Sequence, residues 1–372
     1  MSNRFLLTQS LFAVITGAGN TGKTWQIHSM LKANVNGEPV ATPCLYVMAE
    51  ASAEGTAGEV LNDTSRCVVW PAADCDDAYR AVLECFPDSG PVTLGQAKAL
   101  GYKAVVDKCK ELKTVPPPPP AADKMDGATL RSLVVDTAST LYKGSVNTAK
   151  AIAMREAGVK PGDKPKVGIK GASWNDNRRM GGYAASRMGQ LIDLINGVTT
   201  RLRGLIALVS CHTCPAYRLS EAKEGEEPFK YATGEAPDLG STATAAAGIR
   251  VDPFSATWRA LHAKANVVWH CFRVVPDFAN IRPENINNSA AAEKGITHGV
   301  VTMSSTYPGL GPVMWVKRQG GDGPLGVFGQ LPPYWHPDSP MDEQIAAISQ
   351  GPDLGKILVA AVMATDSNSA AA

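Results

Sequence analysis

Residues 17–24 read Gly17-Ala18-Gly19-Asn20-Thr21-Gly22-Lys23-Thr24, which meets the pattern G-x-x-x-x-G-K-[ST] at every fixed position. No other stretch of the chain restricts its fold so tightly. Glycines let the backbone wrap an anion with its N–H groups turned inward. A helix N-terminus behind the loop adds a field that favours negative charge. Such a loop therefore has to join a strand to a helix, and its flanks agree. Leu11-Phe-Ala-Val-Ile15 is a continuous apolar run, as suits a parallel strand buried on both faces. Thr24 to Ala33 carries Trp25, Ile27, Met30 and Leu31 as the apolar positions of a helix. In this pattern Lys23 reaches β- and γ-phosphates and the Thr24 hydroxyl binds Mg²⁺.

Strand and helix signals alternate beyond the loop. Apolar runs at Cys44–Met48, Arg66–Trp70, Leu133–Val135, Leu205–Val209, Asn266–Phe272, Val313–Val316 and Leu325–Phe328 read as strands. Asp76–Cys85, Thr93–Leu112 and Tyr183–Arg203 read as helices, the last with Met188, Leu191, Ile192, Leu194, Ile195, Val198 and Leu202 on roughly one face. The alternation predicts an α/β fold: a mostly parallel central sheet flanked by helices on both faces, with loop insertions. A single domain over 1–336 is expected. It would hold an insertion at about 87–128, with the five-proline spacer Pro116–Pro120, and mobile loops at about 143–182, around a short helix, and at about 215–258. Residues 337–372, ending in Ser, Asn and Ala, are expected to be a frayed tail.

A nucleotide-hydrolysing site also needs a carboxylate on its metal. Leu133-Val-Val-Asp136 supplies one at the C-terminal end of an apolar strand. The next residue is Thr137, so a general base has to come from elsewhere. Glu50 lies two residues past the strand Cys44–Met48, on the sheet edge that holds the phosphate loop, and is the candidate. His212 ends the strand Leu205–Ser210 and is placed to sense a γ-phosphate.

These residues resemble the RecA-like (ASCE) P-loop ATPases, most of all the phage ATP-binding proteins of recombination and single-strand annealing. The resemblance runs through Gly17–Thr24, Leu45-Tyr-Val-Met-Ala-Glu50, Val134-Val-Asp136, the Tyr183–Arg203 helix and Leu208-Val-Ser-Cys-His212. It implies a Mg²⁺-dependent ATP hydrolase with Asp136 and Thr24 on the metal, Glu50 as base and His212 as phosphate sensor. A late stretch, Trp315-Val-Lys317-Arg318-Gln-Gly, resembles the K-x-R-x-G segment of RecA-like hexameric helicases. That implies Lys317 or Arg318 as a finger on a neighbouring subunit's phosphate, and hence a homo-oligomer, ring or filament.

Composition narrows the partners. The chain has 36 Lys+Arg against 35 Asp+Glu, a net charge of +1, which excludes nucleic-acid binding by bulk positive charge. A local patch is still open: Lys164, Lys166, Lys170, Trp174, Arg178 and Arg179 combine cations with an aromatic ring, as single-stranded DNA requires. No run reaches the ~18–20 apolar residues of a membrane span. The eight cysteines are scattered and form no disulfide framework, so a cytoplasmic protein without a membrane partner is expected. The expected function is an oligomeric ATPase that binds single-stranded DNA in phage recombination or replication. A packaging or helicase-type motor, or a nucleotide-dependent assembly protein with little turnover, are the alternatives.

Overall fold

In this computed structural model the described residues are 7, 9–17, 23–49, 66–156, 174–215, 217–219, 230–232, 249–252, 255–274, 297–307, 314–318 and 354–369. The strands begin with β1 (Leu11–Gly17), the hairpin β2 (Asn34–Val35) and β3 (Glu38–Pro39), β4 (Cys44–Met48), β5 (Cys67–Pro71) and β6 (Ser132–Asp136). They continue with β7 (Ile206–Pro215), the short β8 (Tyr217–Leu219) and β9 (Lys230–Ala232), β10 (Ile249–Asp252), β11 (Val267–Val274), β12 (Thr297–Ser305) and β13 (Met314–Arg318). The helices are α1 (Lys23–Leu31), α2 (Cys75–Cys85), α3 (Leu94–Leu112), α4 (Ala138–Glu156), α5 (Trp174–Arg201), α6 (Ser255–Lys264) and α7 (Leu354–Ser369).

One sheet runs in the order β13-β12-β11-β1-β7-β6-β4-β5, and β10 pairs with the far end of β7. The six strands from β11 to β5 are all parallel. β12, β13 and β10 are antiparallel additions. The protein is thus α/β, with a parallel sheet flanked by helices.

Strand alternation divides the core in two. Leu11, Ala13 and Ile15 of β1, with Cys44 and Tyr46 of β4, pack on one face against Ile27, Met30 and Leu31 of α1. Phe12 and Val14, with Leu45 and Val47, pack on the other face against Ala78 and Val82 of α2 and Met188, Leu191 and Ile195 of α5. Both faces are dry, which is why β1 reads as an unbroken apolar run rather than an alternating one.

Three expectations are corrected. The loop expected at 143–182 is helical wherever it is described: α4 continues to Glu156 and α5 starts at Trp174, nine residues before the expected Tyr183. Gly144 of α4 is a packing requirement. A Cβ there would lie 1.9 Å from the Ala73 carbonyl oxygen, so only glycine lets α4 approach the start of α2. Around it, Asp74 caps α2 by accepting from the backbone of Asp76 and Asp77, and Thr148 Oγ1 donates to Asp74 Oδ2 at 2.8 Å. The described parts of 215–258 form strands β8, β9 and β10 and the start of α6. The frayed tail is also overturned: Leu354, Ile357, Leu358, Ala361 and Val362 recur at i, i+3, i+4, i+7 and i+8, and all are buried. They complete the α1 face of the core. The first N–H groups of α7 are met by α1 side chains, Leu354 N donating to Gln26 Oε1 at 3.1 Å and Gly355 N to Ser29 Oγ at 3.2 Å.

The expected strand Leu325–Phe328 lies outside the described residues. Among the described residues, no helix is long and apolar enough to cross a membrane.

Candidate nucleotide-binding site

The C-terminal ends of β1, β4, β6 and β7 meet at one edge of the sheet, because the strands are parallel and in register. Met48 pairs with Asp136, and Gly17 with His212. Period-two alternation then selects a face. Tyr46 and Val134 point to the α1 side, so Asp136, two residues past Val134, points there too, as does Ser210 after Leu208. Helix α1 begins at this corner with Lys23 and Thr24.

Asp136 is 1% exposed and surrounded by hydroxyl groups. Thr24 Oγ1 donates to its Oδ2 at 3.0 Å, and Tyr46 OH donates to the same oxygen at 2.6 Å. Ser210 Oγ donates to Oδ1. Three hydroxyl donors on one carboxylate offset its burial, as a charge out of water requires. Burial foremost, then the adjacent Asp136 charge and the hydrogen bond to it, pushes the Tyr46 phenol well above its ordinary range. Tyr46 therefore stays protonated and donating.

Lys23 is 5% exposed. Its ammonium donates to the Gly17 carbonyl at 3.0 Å and lies 3.3 Å from His212 Nδ1. An ammonium has only donors, so Nδ1 of His212 accepts and its ring proton sits on Nε2. The His212 backbone N–H donates to Ser139 Oγ at 2.8 Å, tying β7 to α4. His212 does not end its strand as expected from sequence, because β7 runs on to Pro215 through its pairing with β10. On the other face, Thr16 Oγ1 lies 2.9 Å from His270 Nδ1 and 3.2 Å from the Trp269 carbonyl, to which it donates. Burial, then the nearby Lys23 charge, pushes the His270 imidazole down to about 4.

Of the residues predicted from sequence, Gly17, Lys23, Thr24, Asp136 and His212 thus come together at one corner. Ala18, Gly19, Asn20, Thr21, Gly22 and Glu50 lie outside the described residues, as do Lys164, Lys166 and Lys170. Trp174, Arg178 and Arg179 fall in the first two turns of α5, where only the backbone is described. Lys317 and Arg318 lie on β13 and pair with His298 and Thr297 of β12. Those residues face Arg273 and Val274, beyond His270 on β11, so β13 ends at the same sheet edge as the phosphate loop. It stands three strands from β1, ~14 Å at the usual spacing.

Sequence reasoning missed Tyr46, Ser210, Ser139, Thr16 and His270. Tyr46 had a signal: a tyrosine inside a strand buried on both faces needs a partner for its hydroxyl. For the others no local pattern singles them out.

The residues fit Mg²⁺. Thr24 Oγ1 and Asp136 Oδ2 are hard oxygen donors 3.0 Å apart, the separation of neighbouring vertices in an octahedron with ~2.1 Å bonds. Among the described residues no three His, Cys, Asp or Glu side chains cluster as a self-contained metal site. A cation held by one carboxylate, a hydroxyl and phosphate oxygens needs none. The Cys271 thiol, beside the site on β11, offers no competing chemistry here: burial pushes it up to about 12, leaving it protonated.

No protein-family profile matches the chain, and no curated protein matches it.

Proposed function

We propose that the protein is a RecA-like, Mg²⁺-dependent ATPase that binds single-stranded DNA and acts as a homo-oligomer in phage recombination or replication. The observation that carries the ATPase reading is the junction of Thr24 with Asp136. The second hydroxyl of the phosphate-loop signature meets the one strand-end carboxylate that hydrolysis would need, across 112 residues of chain. Strand order supports the RecA-like group. One further parallel strand, β7, separates β1 from the carboxylate strand β6, as the additional-strand architecture expects.

The chain's own groups divide the work. The loop backbone and Lys23 hold the phosphates, and Lys23 exchanges its contact with the Gly17 carbonyl for a phosphate oxygen. Thr24 and Asp136 hold Mg²⁺, which when bound neutralises charge on the β- and γ-phosphates. Tyr46 and Ser210 are positioning residues that fix the Asp136 carboxylate. Glu50 accepts the proton of the attacking water. His212, in contact with Lys23, registers whether the γ-phosphate is present and passes this to β7. The distance of β13 from β1 supports a Lys317 or Arg318 finger acting on a neighbour's site rather than its own. The lysine-rich 164–179 stretch contacts DNA.

ATP hydrolysis measured with and without Mg²⁺, and with and without single-stranded DNA, tests the reading. Turnover that needs Mg²⁺ and rises with DNA supports it. ATP binding without turnover removes the hydrolase part. Turnover with no DNA binding at low salt removes the recombination part.

A further inference from the structure

The connection between α3 and β6 carries five consecutive prolines, 116–120. It belongs to an excursion that leaves and returns at one place. Leu94 N donates to the Ala128 carbonyl at 2.8 Å and Gly95 N to the Asp126 carbonyl at 3.0 Å. The buried Lys98 clamps this base through Asp126 at 2.7 Å. Helix α3, which packs on β5 at the end of the sheet, runs outward for 19 residues, ~28 Å at ~1.5 Å per residue. Lys113, in the left-handed conformation at φ 56°, turns the chain out of the helix. The prolines lie on the way back. Tyr102 OH donates to the Pro117 carbonyl at 3.2 Å, so the returning segment lies along α3.

Residue type alone fixes the conformation of this strap. Each proline holds its own φ near about −65°, and each residue ahead of a proline is kept out of the helical region. Residues 115–119 all precede a proline, so the run is a polyproline II helix, ~3.1 Å per residue and ~16 Å over the five rings. No helix or strand is present over 114–123. Every residue from 113 to 122 is exposed, and Val115 is 91% exposed. Packing within the chain therefore does not account for the rings. An unbroken apolar run, 115–122, stands in solvent, as a surface that receives a partner does. Prolines donate no N–H to the strap, so its carbonyls accept from outside it. The Tyr102 contact shows the type: an aromatic hydroxyl on a strap carbonyl. Lys113, Pro116 and Pro119 recur at the three-residue period of the polyproline II helix. Lys113 is exposed, and the two acids of α3, Asp107 and Glu111, are held by Lys110 and Lys108 at 3.4 and 3.1 Å.

We propose that residues 113–120 are a docking strap for a partner protein with an aromatic-lined groove and an acidic rim, the chemistry that reads Lys/Arg-x-x-Pro-x-x-Pro ligands. Aromatic rings of such a groove take the proline faces, their O–H and N–H groups donate to the strap carbonyls, and the acids meet Lys113. A strap tied at both ends and stiff between them loses little freedom on binding. It stands beside β5, four strands from β1, so docking does not involve the residues of the nucleotide site.

Calorimetric titration of the full chain with an isolated Src-homology 3 domain that binds Arg/Lys-x-x-Pro-x-x-Pro peptides tests it. Saturable binding at sub-millimolar concentration is expected. A free proline-rich peptide that fills the same groove is expected to displace the chain. Pro116→Ala/Pro119→Ala is expected to weaken binding at least tenfold, and Lys113→Glu at least threefold. The circular dichroism of both variants is expected to match wild type, since all three side chains are exposed. The proposal is overturned if the domain does not bind at millimolar concentration or if the peptide fails to displace the chain. It is equally overturned if either variant binds like wild type, and the strap is then a spacer that returns the chain from α3 to the sheet.

Discussion

The two edges of this sheet gather charge in opposite ways. At the C-terminal edge one carboxylate and one ammonium are buried and already hydrogen-bonded, Asp136 by three hydroxyl groups and Lys23 by the Gly17 carbonyl. At the N-terminal edge Lys32, Arg66 and Arg131 line an open cavity, and the first two are exposed. The difference follows from what supplies the side chains. Strands β1, β4, β6 and β7 deliver Tyr46, Asp136 and Ser210 in register and on one face, so their geometry is set by the sheet. The opposite edge is built from a helix end, a hairpin and two residues that precede strands. A register-built site is rigid and intolerant of change, whereas a loop-built edge tolerates it.

The largest effect expected from this contrast is on turnover. Asp136→Asn and Lys23→Ala should each lower Mg²⁺-dependent ATP hydrolysis by ~100-fold or more, because each removes charge aimed at the reacting phosphates. Steady-state phosphate release measures this, and a variant within tenfold of wild type would separate that residue from the chemistry.

Next comes a pH effect at the same edge. Folded His270 stays neutral down to about 4, while the unfolded chain takes up that proton near 6.5. The unfolded state therefore binds more protons between these values, and stability falls as pH drops through that window. The contribution is complete above about 6.5, and the loss amounts to about 3 kcal/mol by pH 4. Denaturant melts of wild type and His270→Gln across pH 4–7 should show a shallower slope in the variant.

Tyr46→Phe should cost about 1.5–3 kcal/mol of stability, the usual range for a hydrogen bond to a charged group. It should also weaken Mg²⁺ binding, since Asp136 loses one of its three donors. Equal Mg²⁺ affinity in the variant would reduce Tyr46 to a packing residue. At the opposite edge, Arg66→Ala should shift stability by no more than about 0.5 kcal/mol, as for an exposed side chain. A larger loss would mean that the N-terminal edge is as tightly built as the other.

Much of this was legible in the chain. The strand–loop–helix start was readable because a phosphate cradle and a doubly buried strand each impose their own pattern over a few residues. Asp136 was readable because it ends an apolar run. The helix α4 was not, since Gly144 and its neighbouring lysines look like a loop until the Ala73 carbonyl shows why no Cβ fits. The tail helix α7 had a clear period in Leu354, Ile357, Leu358, Ala361 and Val362, obscured by the polar residues that end it. Its partner, α1, lies more than 300 residues earlier in the chain, and no local pattern names a partner.

By itself, then, the sequence determined which segments are the strands of the parallel core and which residues could carry phosphate chemistry. These depend on short-range periodicity and residue type. Only the tertiary structure decided that Thr24 meets Asp136, that Tyr46 and Ser210 hold it, and that Lys32, Arg66 and Arg131 share one cavity. Those contacts are set by strand order and by which face each side chain takes, and both are properties of the assembled sheet.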